Sequence, residues 1–161
     1  MPIDGVEYNV SGAKWVKVVS GFNGKYTNTM DAKNRVFVPA AYRHKLGQEF
    51  ILTRGEDTNL YLYPMEAWEE FEEKVKTLQT SRQNYRAIMR HYFANAVTCS
   101  LDSQGRIVIP QELREWAGLT KEVLFAGVDT KVEIWDPQKY EEVTSSCDIN
   151  EILDSLPINL P

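Results

Sequence analysis

The sequence predicts an α+β fold, mainly β, in which two related β–turn–β–α–β–β units are joined and flanked by helices. Three observations carry this expectation. The segment D-A-K-N-R-V-F-V-P (Asp31–Pro39) returns 71 residues later as D-S-Q-G-R-I-V-I-P (Asp102–Pro110). Three β-formers precede each proline, Val36–Val38 and Ile107–Ile109. Between the copies, Met65, Trp68, Phe71, Val75 and Leu78 recur at the spacings of three and four that mark one helical face. Two copies are too few for a solenoid, so the two units are expected to bury their apolar faces against each other.

The match extends beyond the turn. Arg43 pairs with Arg114 and Gly47 with Gly118; after one inserted residue Gly55 pairs with Gly127 and Leu60–Tyr63 with Val132–Trp135. Each unit reads in order. Lys25–Met30, rich in Tyr and Thr, is a short strand. Asp31–Asn34 and Asp102–Gly105 are turns, because an Asp carboxylate can accept backbone N–H bonds two residues on. Asn34 and Gly105 occupy matching positions, and both tolerate positive φ. Val36–Val38 and Ile107–Ile109 are strands whose unbroken apolar character predicts burial on both faces. Pro39 and Pro110 then suit the first position of short helices, 40–46 and 111–117, with Gly47 and Gly118 as C-caps. A hairpin closes each unit: Phe50–Thr53 with Asn59–Tyr63, and Val123–Ala126 with Lys131–Trp135.

The linking stretch holds two helices. The first has Glu66, Glu69 and Glu70 early and Lys74 and Lys76 late, as the macrodipole prefers. The second, 82–94, places Arg82, Arg86 and Arg90 on one face. These arginines either contact phosphate or pair with acidic groups of the first helix or a neighbouring subunit; pairing is the favoured reading. Lys14–Val19 is either an extra strand or a loosely held tail. Residues 141–161 are acidic and include a short helix at 149–156. The expected organisation is an N-terminal extension (1–21), a first repeat (22–70), a helical connector (71–96), a second repeat (97–142) and an acidic tail (143–161).

The 161 residues carry a net charge of −5, with 43% apolar and 25% charged residues, a globular composition. Charge is segregated: +6 over 14–54, −5 over 55–80, +3 over 81–114 and −7 over 115–161. This pattern yields either a positive and a negative face or a mixed solvated surface. No apolar run is long enough for a membrane helix, and no signal peptide is visible. Two cysteines, Cys99 and Cys147, fit a reducing cytoplasm.

No constellation favours catalysis. His44 and His91 lack metal-like neighbours, and neither C-x-x-C, H-E-x-x-H nor a phosphate-cradling glycine loop occurs. Neither a metal nor a cofactor is expected. Cys99, in T-C-S, reads as a buried inert thiol without a base to activate it. What recurs is a tight turn ending in arginine, with Lys33 added in the first copy and Gln104 in the second. Arginine suits guanine edges and phosphates by bidentate bonding, and a rigid strand–turn–strand would present it at fixed spacing. An Asp–Arg ion pair that merely closes the turn explains the residues equally well.

G-K-Y-T-N-T-M-D-A-K-N-R-V-F-V-P (Gly24–Pro39), L-Y-L-Y-P-M-E-A-W (Leu60–Trp68), L-D-S-Q-G-R-I-V-I-P (Leu101–Pro110), A-G-L-T-K-E-V (Ala117–Val123) and E-I-W-D (Glu133–Asp136) strongly resemble the MraZ family across residues 22–142. That family carries two D-x-x-x-R motifs, each in a SpoVT/AbrB-like half. The resemblance implies a pseudo-twofold swapped-hairpin β-barrel with flanking helices. It implies a bacterial transcription regulator, usually a repressor, in the cytoplasm and at the nucleoid. Such regulators bind direct repeats in double-stranded DNA upstream of their own operon, the cell division and cell wall cluster. It also implies ring-like homo-oligomers. Carried over, the DNA-contacting arginines are Arg35 and Arg106, with Lys33 and Gln104 beside them. The turn-forming residues are Asp31, Asn34, Asp102 and Gly105, Asn34 standing where the family has glycine. Residues 1–21, ahead of the family's usual start near Phe22, are an extension or reflect an upstream start choice. Two other readings of the same residues are an antitoxin of this barrel superfamily and an assembly scaffold without DNA affinity.

Overall fold

The structure, a computed structural model, describes residues 21–160 and the backbone of two short segments, 7–8 and 14–15. Those segments, β1 (Glu7–Tyr8) and β2 (Lys14–Trp15), pair antiparallel. The expected strand or tail at 14–19 is thus a strand at its first two residues, and 16–19 lie outside the described residues. The first unit follows as β3 (Lys25–Thr29), β4 (Arg35–Phe37), α1 (Ala40–Leu46), β5 (Glu49–Arg54) and β6 (Leu60–Pro64). Then come α2 (Met65–Lys76) and α3 (Arg82–Tyr92). The second unit is β7 (Val97–Ser100), β8 (Arg106–Val108), α4 (Gln111–Ala117), β9 (Glu122–Gly127) and β10 (Val132–Trp135), followed by α5 (Pro137–Ser145) and α6 (Ile149–Asp154).

The two units exchange strands. One six-stranded antiparallel sheet runs β3-β9-β10-β6-β5-β7, and β4 pairs with β8 in a separate two-stranded ribbon. The hairpins β5–β6 and β9–β10 meet at the centre through β6 and β10. Each unit's first strand lies on the other unit's hairpin: β3 on β9, with Tyr26 opposite Phe125, and β7 on β5, with Cys99 opposite Phe50. Hydrogen bonding leaves the sheet open at β3 and β7. The result is a mainly-sheet α+β fold with antiparallel strands.

One core cluster fills the space between sheet, ribbon and the short helices. Val36, Val38, Phe50, Leu52, Leu60 and Leu62 come from the first unit, and Ile107, Ile109, Val123, Phe125, Val132 and Ile134 from the second. Burying side chains of this size stabilises by about 1.5–3 kcal/mol each. Strands β5 and β6 are covered on both faces. Leu60 and Leu62 point into this core, while Ile51, Tyr61 and Tyr63 meet Trp68 of α2 in a second cluster with Phe71, Tyr92 and Phe93 around it.

The ribbon corrects one expectation. Val36, Val38, Ile107 and Ile109 are buried, but Phe37 and Val108 are 42% and 55% exposed. The strands are buried on one face only, because no second layer among the described residues covers the ribbon as α2 and α3 cover β5–β6. A smaller correction concerns the prolines: Pro39 and Pro110 are the N-caps of α1 and α4, with extended ψ of 133° and 148°, rather than their first helical residues. Gly118 caps α4 in the left-handed conformation (φ 65°, ψ 29°), as expected. The favoured pairing of the α3 arginines with α2 is not made. Among the described residues, Arg82, Arg86 and Arg90 form no ion pair and stay exposed. The reason is rotation: α3 turns Tyr92 toward Phe71, with Phe93 beyond its end against Phe71 and Trp68, and its arginines stay on the open surface. No helix among the described residues is long and apolar enough to cross a membrane.

Candidate nucleic-acid interface

The two D-x-x-x-R turns close by the same local chemistry. Asp31 Oδ1 accepts the backbone N–H groups of Lys33 and Arg35, each at 2.9 Å, and Oδ2 accepts Arg35 Nε at 2.8 Å. Asp102 repeats this with the N–H groups of Gln104 and Arg106, each at 2.9 Å, and with Arg106 Nε at 2.8 Å. Behind each carboxylate the backbone closes twice. Asp31 N–H donates to Arg35 O and Asn34 N–H to Asp31 O; Asp102 N–H donates to Arg106 O and Gly105 N–H to Asp102 O. Asn34 (φ 62°) and Gly105 (φ 87°) supply the positive φ that the turn requires.

These bonds set the carboxylate chemistry. The Arg35 backbone N–H, the largest effect, joins the Arg35 side chain and the Lys33 N–H in outweighing desolvation and holds the Asp31 carboxyl below its ordinary value. The Arg106 backbone N–H leads the same set of effects at Asp102. Both carboxylates are therefore charged at neutral pH and fix their arginines through Nε. This leaves the outer nitrogens of the guanidinium as the part that can meet a ligand.

The turns are not independent. In the ribbon Arg35 sits opposite Val108 and Phe37 opposite Arg106. The outward face is thus a small chequerboard of two arginines and two apolar side chains. Each turn tip is held by the other unit: Val38 N–H donates to Gly105 O at 3.0 Å and Ile109 N–H to Asn34 O at 3.2 Å. The symmetry is broken at the side chains. Arg106 Nη1 also approaches Asp31 Oδ2 at 3.9 Å, and its guanidinium lies 5.7 Å from the centre of the Phe37 ring. Arg106 is 16% exposed and Arg35 31%. Lys33 and Gln104 stand exposed at the tips.

The structure thus brings Asp31, Lys33, Asn34 and Arg35 together with Asp102, Gln104, Gly105 and Arg106 on one ribbon. It adds two residues that the sequence paired without assigning a role. Arg43 Nε donates to Val38 O at 2.9 Å, and Arg114 Nη1 donates to Ile109 O. These side chains tie each helix to the end of its own ribbon strand. Arg43 also packs on the second turn, since a Cβ on Gly105 would lie 2.4 Å from its guanidinium carbon. Their place at +12 from each turn aspartate in both copies was the available signal.

Over residues 22–91, and again over 92–152, the chain matches the family described as "MraZ protein, putative antitoxin-like". Each match contains one of the two turns. The chain belongs to the MraZ family. It is 45% identical over 140 residues, 84% of its length, to a Thermoanaerobacter sp. (strain X514) protein, 98% of which is covered. It is 46% identical over 127 residues to one from Caldanaerobacter subterraneus subsp. tengcongensis, covering 79% of this chain and 89% of that protein. It is 49% identical over 117 residues to one from Carboxydothermus hydrogenoformans, covering 73% and 82%. All three are named "Transcriptional regulator MraZ". These MraZ relatives are named as regulators and not as enzymes, in line with the expectation of no catalysis.

The remaining reactive groups in this MraZ chain have structural surroundings. Burial pushes the Cys99 thiol up to about 11, which suppresses the thiolate at neutral pH. The His91 ring lies 3.0 Å from Gly55 O through Nε2 and packs edge-on against Tyr92 and Trp116. Among the described residues no cluster of three or more His, Cys, Asp or Glu side chains is placed to hold a metal ion.

Proposed function

We propose that the protein is a sequence-specific DNA-binding transcription regulator that represses its own division and cell-wall operon by binding direct repeats upstream of it, at the nucleoid. The single observation that carries this reading is the pair of turns on one ribbon, each with an aspartate that takes up Arg Nε and leaves the outer guanidinium nitrogens without a hydrogen bond to it. A guanidinium fixed in this way loses little further entropy when it bonds a guanine edge or a phosphate. Arg35 and Arg106 read or grip the DNA. Lys33 adds a phosphate contact as a point charge, and Gln104 adds an amide that can bond a base edge or phosphate. Asp31, Asn34, Asp102 and Gly105 hold the turns.

Two finer features belong to the same reading. The exchange of β3 and β7 between the hairpins, with the shared ribbon β4–β8, supports a pseudo-twofold swapped-hairpin β-barrel. Self-assembly into a ring would place several ribbons along successive DNA repeats, and linked sites bind with avidity that no single ribbon has. Net acidity is no obstacle, because a polyanion responds to the local field of the ribbon.

The test is fluorescence-anisotropy binding to a duplex carrying the protein's own upstream DNA, beside a scrambled duplex, across a salt series. Preferential binding that weakens steeply with salt is the expected result. Equal and weak binding to both duplexes overturns it. The family's description as antitoxin-like supports a second reading, a DNA-binding antitoxin. Copurification of a small toxin with the full chain would favour that alternative.

A further inference from the structure

The last helix of the chain is too short to stand alone. α6 spans six residues, and isolated helices under about 12 residues are marginal in water. It is well started: the Asp148 carboxylate accepts the N–H groups of Asn150 at 3.0 Å and Glu151 at 3.2 Å. Its apolar residues are nevertheless exposed among the described residues. Ile149, Ile152, Leu153 and Leu156 stand at i, i+3, i+4 and i+7, a single stripe, and Ile149 is 61% exposed. Every residue from Asp148 to Leu160 is exposed on its own subunit. Asp148, Glu151 and Asp154 border the stripe, and residues 141–161 contain no Lys or Arg. An exposed apolar patch rimmed by charge marks an interaction surface.

A surface of opposite character lies at the elbow between α2 and α3. A pocket of about 380 Å³ is lined by Lys76, Leu78, Thr80, Arg82, Tyr85 and Arg86. Leu78 is exposed and Tyr85 half-buried, so the pocket has apolar walls. Arg82 and Arg86 are exposed and form no ion pair among the described residues, and Arg90 continues their line by one helical turn. Among the described residues Lys76 pairs with Glu73 alone, at 3.1 Å on the open surface, where such a pair holds little.

We propose that the acidic tail helix α6 of one subunit docks in the basic α2–α3 elbow of a second copy of this chain. Its apolar stripe covers Leu78 and Tyr85, and Asp148, Glu151 and Asp154 face Lys76, Arg82 and Arg86. The two surfaces are complementary in both charge and apolarity, and each subunit carries one of each. The contact is therefore head-to-tail, the kind that closes into rings when the rotation allows. It adds a named seam to the proposed self-assembly and rests on that reading, but not on the DNA-binding one.

Zero-length carbodiimide coupling of the full-length protein tests it, with the products separated by mass under denaturing conditions and mapped by peptide mass spectrometry. The Lys76–Glu73 pair should couple within the chain and serves as the control for reagent and for Lys76. The expected result is an amide between Lys76 and Glu151 or Asp154 in the covalent dimer. The double variant Arg82→Glu/Arg86→Glu, which alters two exposed side chains, should lower that product about tenfold while Lys76–Glu73 persists. Finding the Lys76–tail product only in covalent monomer would mean that the tail folds on its own elbow, and would overturn the proposal. Its absence while Lys76–Glu73 forms, or its persistence in the double variant, would overturn it as well. Sedimentation velocity separates the two readings: a monomer defeats self-assembly and this seam together, and an oligomer without the Lys76–tail product defeats the seam alone.

Discussion

Replacing Arg35 and Arg106 one at a time should separate DNA binding from folding. Both guanidiniums are pinned through Nε by their own aspartates at 2.8 Å, but only Arg106 also approaches Asp31 and lies over Phe37. Arg35→Ala loses one half-exposed ion pair, which holds about 0–1 kcal/mol. Arg106→Ala loses a similar pair, a second and longer one, and a cation–ring contact of about 0.5–1 kcal/mol. The expected costs in stability are therefore under about 1 kcal/mol for Arg35→Ala and about 1–2 kcal/mol for Arg106→Ala. For a chain of this size the latter lowers Tm by about 2–8 °C. On DNA the order does not follow stability. A lost bidentate base contact costs about 1–3 kcal/mol, or roughly 5- to 150-fold in Kd, and a lost phosphate contact flattens the salt slope by about 0.9. Arg35→Ala should thus bind its operator much more weakly while melting near wild type. Arg35→Lys should keep much of the salt slope and lose sequence preference, because an ammonium cannot bond Asp31 and a base edge as a planar fork does. Anisotropy titrations at several salt concentrations, beside thermal melts, check this. Wild-type affinity and slope in Arg35→Ala would refute the reasoning, as would a fall in Tm equal to that of Arg106→Ala.

Other consequences follow from the same geometry. Gly105→Ala places a Cβ 2.4 Å from the Arg43 guanidinium at φ 87°, so it should cost about 1–2 kcal/mol in urea unfolding, whereas Asn34→Gly should change stability by only a few tenths. The Asp31 and Asp102 carboxyls are held low first by backbone N–H bonds. Their stabilisation is complete above the unfolded value of about 3.9 and disappears as pH falls through the lower folded value. The Tm gap between wild type and Asp31→Asn/Asp102→Asn should therefore be full at neutral pH and close in strong acid; a gap that stays constant into strong acid contradicts this. With its thiol raised to about 11 by burial, Cys99 should resist alkylation at neutral pH until the protein unfolds, while exposed Cys147 reacts at once.

The turns were legible because their chemistry is local. An aspartate that bonds the N–H groups two and four residues on, and a positive φ three residues on, leave their mark within five residues. The strand and helix order was legible for a similar reason, since each proline and glycine falls at an element boundary in both copies. The facing of Phe37 and Val108 was not legible. Nothing in V-F-V or I-V-I states whether a second layer lies above, and that depends on α2 and α3 covering β5–β6 instead. The direction of the α3 arginines was hidden likewise, because a periodic face does not reveal which side packs. Helix α5 was missed although its signal was present: Asp136 accepts Lys139 N–H as N-cap, and Pro137 follows at the first helical position. The acidic character of the tail had obscured it.

Duplication within one chain gives the two turns a property that separate subunits would have to assemble. The tip carbonyls of Asn34 and Gly105 each accept an N–H from the other unit's ribbon strand. The strands that carry Arg35 and Arg106 pair with each other in the ribbon. Neither turn can shift without moving the other, so the offset between the two guanidiniums is fixed by covalent connection and register alike. The same exchange means that a half cannot stand for the whole. Without the second unit, β3 loses β9, β4 loses β8 and β5 loses β7, and the first unit would expose strand edges that template aggregation. Yet the register does not make the halves equal. Phe37 lies beneath Arg106, but Val108 offers Arg35 no ring, and only Arg106 reaches the opposite aspartate. Sequence divergence at two outward positions therefore turns a duplicated motif into one more anchored arginine and one more available to a ligand.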